Sequence, residues 1–330
     1  MTTYDPPWWC PPVDLAALDG VAARLRTGGL RIVNEQPLAA WTTLGVGGGA
    51  RVFAEIADDR QLVVLMEALA DVVETDVPLL VVGRGSNMLV ADAGWPALAI
   101  KLGAAYKSFS RDGRRVRAGA AASMPALAAW AATQGLSGLE FAAGIPATVG
   151  GSVRMNAGAH GGEVAQRLQR VRVAVPGVPG GVATLAAAEL QFSYRRSVLP
   201  PRAVVVDAEW ELTEDDPDSI RERLDELRAW RRSAQPLRQR NCGSVFTNPE
   251  GDSAGRLVEA AGLKGHRHGS AQVSELHANF IVVQPPCPAA DVYRLISDMR
   301  RAVHAGGGPL LHPEVRIIGD FSGEATDGED

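Results

Sequence analysis

The stretch from residue 138 to residue 163 constrains this chain more than any other. Seven glycines (Gly138, Gly144, Gly150, Gly151, Gly158, Gly161 and Gly162) fall within twenty-six positions. Backbone this rich in glycine loses much entropy on ordering and has little side-chain surface to bury, so it is poor material for helix or strand. A long irregular loop inside a folded domain is commonly functional. From 144 to 161 it is uncharged apart from Arg154, running Gly144-Ile145-Pro146-Ala147-Thr148-Val149-Gly150-Gly151-Ser152 into Met155-Asn156-Ala157-Gly158. Such backbone suits wrapping around a large, flat, partly apolar ligand that carries a pyrophosphate.

A shorter glycine loop precedes it. Leu79-Leu80-Val81-Val82 reads as a buried strand that runs directly into Gly83-Arg84-Gly85-Ser86-Asn87. Successive N–H groups in such a turn form a nest for phosphate oxygens, and Ser86 and Asn87 add side-chain donors. Taken alone, the motif is equally a tight turn needing positive φ. Met88 stands where a dinucleotide fingerprint would place its third glycine, and the Gly-Lys-Ser/Thr end of a phosphate-binding P-loop is missing.

Around these loops, strand and helix patterns alternate. Strands are expected at 51–55, 79–82, 97–101, 114–119, 168–175, 203–212 and 279–283. Helices are expected after Asp58-Asp59, from Pro125, around 253–262 and from Pro288. The helix before Gln235-Pro236 places Ile220, Leu224, Leu227 and Trp230 on one apolar face. The fold class expected is α+β. The divisions are an N-terminal extension with a helix (1–39), a two-lobed domain (40–213, lobes 40–104 and 105–213), a linker helix (214–236), a smaller α+β domain (237–321) and a disordered tail (322–330).

Composition excludes several function classes. Hydrophobic residues make up 46% and charged residues 22%, with a net charge of −5 and both signs interspersed. No basic footprint for nucleic acid follows, and no apolar run approaches the ~20 residues of a membrane span. Cys10, Cys242 and Cys287 give neither a disulfide framework nor a metal site. With no secretory signal at the start, a cytoplasmic location is expected, and a monomer.

Five segments, in order, resemble the UDP-N-acetylenolpyruvoylglucosamine reductase family, whose FAD-binding domain is of the vanillyl-alcohol-oxidase or PCMH type. They are Val82–Asn87, Ala143–Pro146 with Met155–Gly158, Phe192-Ser193-Tyr194-Arg195-Arg196-Ser197, Cys242-Gly243-Ser244-Val245-Phe246-Thr247-Asn248-Pro249, and His312-Pro313-Glu314-Val315-Arg316. The resemblance covers about residues 40–320. The short interval between the Tyr-Arg and Gly-Ser motifs matches the family's shorter subtype. Two departures are Ala147, where many relatives have glycine, and Val283-Gln284 in place of Val-Asn.

The resemblance implies a two-lobed FAD-binding domain followed by a smaller substrate-binding domain. It also implies non-covalent FAD, NADPH as hydride donor and a UDP-sugar enolpyruvyl ether as substrate, in peptidoglycan precursor synthesis. The chemistry falls on Arg195, Ser244 and Glu314. Arg195 offers a planar cation to the substrate carboxylate. Ser244 gives a proton to the α-carbon, and a protonated Glu314 hydrogen-bonds the enolate. Flavin contacts are expected from Gly83, Arg84, Gly85, Ser86, Asn87, Gly144, Ile145, Pro146, Gly150, Gly151, Asn156 and Gly158. Substrate contacts are expected from Tyr194, Arg231, Arg232, Asn248, His277 and Arg316, with Asn279 lining the same pocket. Arg196 is the arginine of the pair left to the surface, and Cys242 is a buried filler. Two alternatives stay open: another FAD oxidoreductase of this fold, and a UDP-sugar binding protein without redox chemistry. No histidine precedes His160, so a flavin tethered through histidine at the first loop is excluded.

Overall fold

Four strands form the first sheet, in the order Ile32–Pro37, Gly49–Ile56, Trp95–Leu102, Leu79–Val81. The first pairs antiparallel with the second, and the remaining pairs are parallel. The computed structural model describes residues 8–9 and 11–324. Helices α1 (Leu15–Thr27) and α2 (Asp59–Ala70) cover one face, each opened by an aspartate: Asp14 accepts from Ala17 N and Asp58 from Gln61 N, both at 3.0 Å. Leu18, Leu25, Leu62 and Leu65 are fully or almost fully buried, each burial contributing roughly 1.5–3 kcal/mol. The helix expected within 1–39 is therefore present, but it is no appendage. It packs into this core, and Ile32–Pro37 is a strand of the sheet.

The second sheet is wholly antiparallel, in the order Val182–Ala186, Leu168–Ala174, Val204–Glu211, Arg115–Gly119, Phe109–Asp112. Its inner face carries Val116, Val171, Ala208 and Trp210 into the same apolar cluster as the first lobe, together with α3 (Met124–Thr133). The glycine-rich stretch departs from expectation, because Val149–Arg154 forms a short helix, α4. Thr148 caps it, Val149 and Val153 are fully buried, and Gly150 lets it lie against Ala120. Burial and capping outweigh the poor helix propensity of two glycines.

Helix α5 (Pro217–Ala234) starts at the Asp216 cap with proline in its first turn and leads to the third unit. There, four antiparallel strands follow the order Arg240–Ser244, Phe280–Val283, Ala271–Val273, Arg267–His268. Helices α6 (Ala254–Ala260) and α7 (Ala289–Ala305) complete it, α7 burying Val292, Leu295, Ile296, Met299 and Val303.

Arg316–Ile318 then leaves the third unit. It pairs in parallel with Met88–Val90 behind the first glycine loop, and with Trp8–Trp9 on its other side. Asp92 reinforces this junction by accepting from Ala289 N (2.9 Å) and Ala290 N (3.1 Å) at the start of α7. The class is α+β, as expected. The tail expected to be disordered from 322 begins with an ordered turn, Ser322–Glu324, whose Glu324 pairs with Arg294. Residues 325–330, like 1–7 and Cys10, lie outside the described residues. No helix is long and apolar enough to cross a membrane, among the described residues.

Candidate active site

In the Gly83–Asn87 loop three of the five carbonyls accept from the surrounding protein. Gly83 O accepts from Lys101 Nζ (2.7 Å), Gly85 O from Thr43 N (3.1 Å) and Asn87 O from Arg316 N (3.1 Å). None of the five N–H groups donates to a protein acceptor among the described residues. A turn most of whose carbonyls are spent on protein and whose N–H groups are free is a nest for an anion. Gly85 has φ +60°, and a Cβ there would stand 2.2 Å from Trp41 O. The second loop comes up against the first, since a Cβ on Gly83 would lie 2.7 Å from Thr148 Oγ1. Two glycine loops meeting around free N–H donors fit the pyrophosphate of a dinucleotide such as FAD.

Asn87 links the nest to the third unit. Its Nδ2 donates to Glu314 O at 3.0 Å, while Glu314 N donates to Val245 O at 2.8 Å. Ser244, next to Val245, is the last residue of its strand and pairs with Phe280. The preceding Gly243 turns at φ +76° and approaches Ser86 O. Asn279 fixes the next peptide on both sides, accepting from Phe246 N (2.9 Å) and donating to Phe246 O (2.8 Å). Ser244 is half-buried, and its hydroxyl makes no hydrogen bond among the described residues.

Arg195 reaches the same place from the second lobe. It holds a left-handed backbone (φ +57°) in the turn closed by Ser193 and Arg196, a strained conformation for a residue with a side chain. Its Nε lies 3.1 Å from Glu314 Oε1, and its Nη2 donates to Gly158 O at 2.8 Å. Burial raises the pKa of Glu314, and the charge and hydrogen bond of Arg195 offset this only in part. Ser244, Glu314 and Arg195, distant in sequence, are thus neighbours. Arg196 is exposed. Cys242 is fully buried, its pKa pushed up to about 12, which rules out a ready thiolate.

The other expected contacts divide. Ser86 and Arg84 lie on the nest, Arg84 exposed. Gly144, Ile145 and Pro146 close the turn that leads into α4, with Arg231 Cδ against Gly144. Gly151 is exposed near Thr148, and Gly158 lies against Arg195. Asn156 is fully buried, donating to Ser193 O and accepting from Ala165 N, both at 3.0 Å. It ties the second loop to the Arg195 turn rather than facing a ligand.

Tyr194 is exposed beside the Arg195 guanidinium. Asn248 uses its Oδ1 on Ala254 N at the start of α6. His277 packs edge-on against Phe280, and its Nδ1 accepts from Asn279 N. Both side chains therefore have structural partners where substrate contacts were expected, as does Asn279. Arg232 is exposed on the last turn of α5. Arg231 bonds Gln235 (2.6 Å), and burial lowers its pKa. Solvent reaches Arg316, yet the surrounding protein and then Arg154 lower its pKa too.

Two further residues belong to the site: Lys101, whose ammonium bonds Gly83 O over the Trp41 ring, and Thr148. The Ser/Thr immediately before an apolar turn was the available signal for Thr148. Nothing local marks Lys101.

Fold and loops together define an FAD-binding flavoprotein. A family model described as FAD binding domain matches residues 54–177, and the C-terminal domain of UDP-N-acetylenolpyruvoylglucosamine reductase matches residues 235–318. The reductase of that name from Heliobacterium modesticaldum is 43% identical over 298 residues, 90% of this chain and 93% of the relative. That from Synechococcus sp. (strain WH7803) is 45% identical over 287 residues, 86% and 92% of the two chains. The crystal structure of the Thermus caldophilus reductase superimposes with a TM-score of 0.74 at 36% identity, covering 88% of this chain and 99% of that one. The chain belongs to the UDP-N-acetylenolpyruvoylglucosamine reductase family.

Proposed function

We propose that this protein reduces the enolpyruvyl ether of UDP-N-acetylglucosamine enolpyruvate to the lactyl ether of UDP-N-acetylmuramate, a peptidoglycan precursor, using NADPH in the cytoplasm. The observation that carries this reading is the Arg195–Glu314 pair, its Glu314 backbone bonded to Val245, the residue after Ser244, and to Asn87 of a flavin-type nest. The Gly83–Asn87 and Gly144–Gly158 loops would hold FAD, which would supply hydride transfer from NADPH to the substrate.

Reduction adds a hydride to the carbon β to the carboxylate and a proton to the α-carbon, as the C=C π bond breaks. Between the two additions, negative charge spreads over the α-carbon and the carboxylate. Arg195 faces that charge with a guanidinium already fixed through Gly158 O. When the substrate carboxylate engages Arg195, Glu314 has a second carboxylate for a neighbour and holds its proton more firmly. A protonated Glu314 then donates a hydrogen bond to the enolate. Ser244 gives its proton to the α-carbon, which is basic enough to take it. Arg231 and Arg316, partly desolvated and without a carboxylate partner among the described residues, suit the diphosphate, with exposed Arg232 joining them. One chain supplies all three chemical residues, and a monomer is the active unit proposed.

The test is spectroscopic. Purified protein should show a flavin band that NADPH bleaches and that UDP-N-acetylglucosamine enolpyruvate restores. A band that bleaches but does not recover with this substrate overturns the reading in favour of another flavin oxidoreductase. A protein that binds UDP-sugar but carries no flavin points to a binding module instead.

A further inference from the structure

The apolar stripe of α5 predicts Trp230 on the inward face with Ile220 and Leu224. Those two are 1% and 2% exposed, whereas Trp230 is 49% exposed. The helix outruns its core, and its last turn lies over the second glycine loop. There the Trp230 ring meets the His160 ring at 4.6 Å between centroids and 88° between planes. His160 is held at φ +52° at the tip of a hairpin whose strands are Gly158–Ala159 and Gly162–Glu163. At the base of the same hairpin, Gly158 O accepts from Arg195. Two residues apart, this one hairpin thus carries the contact to the indole and the contact to the guanidinium proposed to bind substrate. The next residue on the helix, Arg231, lies against Gly144 and has no carboxylate partner among the described residues.

A half-exposed indole, braced on one side by an imidazole and followed by an unneutralised guanidinium, matches the two halves of a nucleotide. A base has a flat π-face for the ring, and its phosphates suit the cation. We propose that Trp230, braced by His160, is the stacking platform for the base of a nucleotide substrate, with Arg231 facing its phosphates. The inference rests on the proposed reductase activity, which uses two nucleotides: the uridine diphosphate sugar and NADPH. Both present the same chemistry to the indole. Trp230 is a positioning residue, setting affinity and leaving the chemical step alone.

The test uses the FAD-loaded enzyme with Trp230→Ala and Trp230→Phe. UDP and NADP+ serve as probes, their binding read from the flavin spectrum and by calorimetry. Loss of one base–aromatic stack should weaken the affected probe about 10-fold or more in Trp230→Ala. Trp230→Phe should recover most of the loss, and FAD content should stay at the wild-type level. KM for the matching substrate should rise with kcat little changed. Weakening confined to UDP assigns the platform to the sugar nucleotide; weakening confined to NADP+ assigns it to the reductant. Unchanged affinity for both probes overturns the proposal, and so does loss of FAD from Trp230→Ala, which would make Trp230 a brace for the flavin loop. Failure of the wild-type enzyme to bleach with NADPH would instead defeat the reductase reading, an outcome separate from either.

Discussion

Arg195 Nε and Glu314 Oε1 stand 3.1 Å apart, yet Glu314 binds its proton more tightly than an ordinary glutamate. The two facts coexist because burial penalises the carboxylate more than the neighbouring guanidinium relieves it. The pair is set to trade one anion for another: a substrate carboxylate can take the arginine while Glu314 is neutralised in place.

This arrangement predicts a pH dependence. A raised pKa keeps Glu314 protonated above the usual glutamate range, so reoxidation of reduced flavin by substrate should fall as pH rises through that raised value. Glu314→Gln keeps a neutral donor and should lose this alkaline limb, though not all of the rate. The stability sign is the same: what protonated Glu314 contributes is fully present below the unfolded pKa and is lost as pH rises through the folded one. Stopped-flow reoxidation and Tm measured across pH check both.

Ser244→Ala should leave bleaching by NADPH intact and slow reoxidation by the enolpyruvyl substrate by about 10²–10⁴-fold. Equal slowing of both half-reactions would remove Ser244 from the proton-donor role.

Gly85→Ala should strip the protein of FAD. The new Cβ meets Trp41 O, a backbone atom that cannot swing aside, and φ is left-handed. Gly180→Ala is the control, with φ +74° but nothing within 4 Å of its Cβ. It should carry only the backbone cost, about 1–2 kcal/mol, and remain yellow after dialysis.

Asn279→Ala should lower stability by roughly 2–4 kcal/mol, because both polar groups of a buried peptide edge at Phe246 lose their partners. Urea unfolding of the FAD-loaded protein measures it. A change below about 0.5 kcal/mol would show that water replaces the clamp.

Much of this was legible in the sequence, for stated reasons. The Gly83–Asn87 nest announces itself because an apolar strand runs straight into a turn that favours glycine, although that strand, expected to be buried, lies at the sheet edge with Val81 exposed. Arg195, Ser244 and Glu314 were legible only through their motifs, since nothing local tells a reactive serine from a turn serine. Asn248, Asn156 and His277 show where reading runs out. A short polar side chain serves a ligand or a neighbouring backbone equally well, and the choice depends on a partner brought near by folding. For Asn156 those partners are Ser193 and Ala165. Trp230 misleads for a geometric reason: helical period gives the face of a residue but not whether the core still lies beneath it. The α4 helix was hidden by glycine, whose propensity cost was outweighed by the Thr148 cap and two buried valines.

The bonds from Asn87 to Glu314 and Arg316 span more than two hundred residues of chain. A ribosome therefore releases the second glycine loop, the arginine turn and the serine strand before the first loop can be locked. Until the segment around residue 316 emerges, the nest has no backing and the proton-holding carboxyl has no place. Synthesis itself thus delays a competent flavin site until almost all of the described chain exists, and a chain cut short before Glu314 could not close the site.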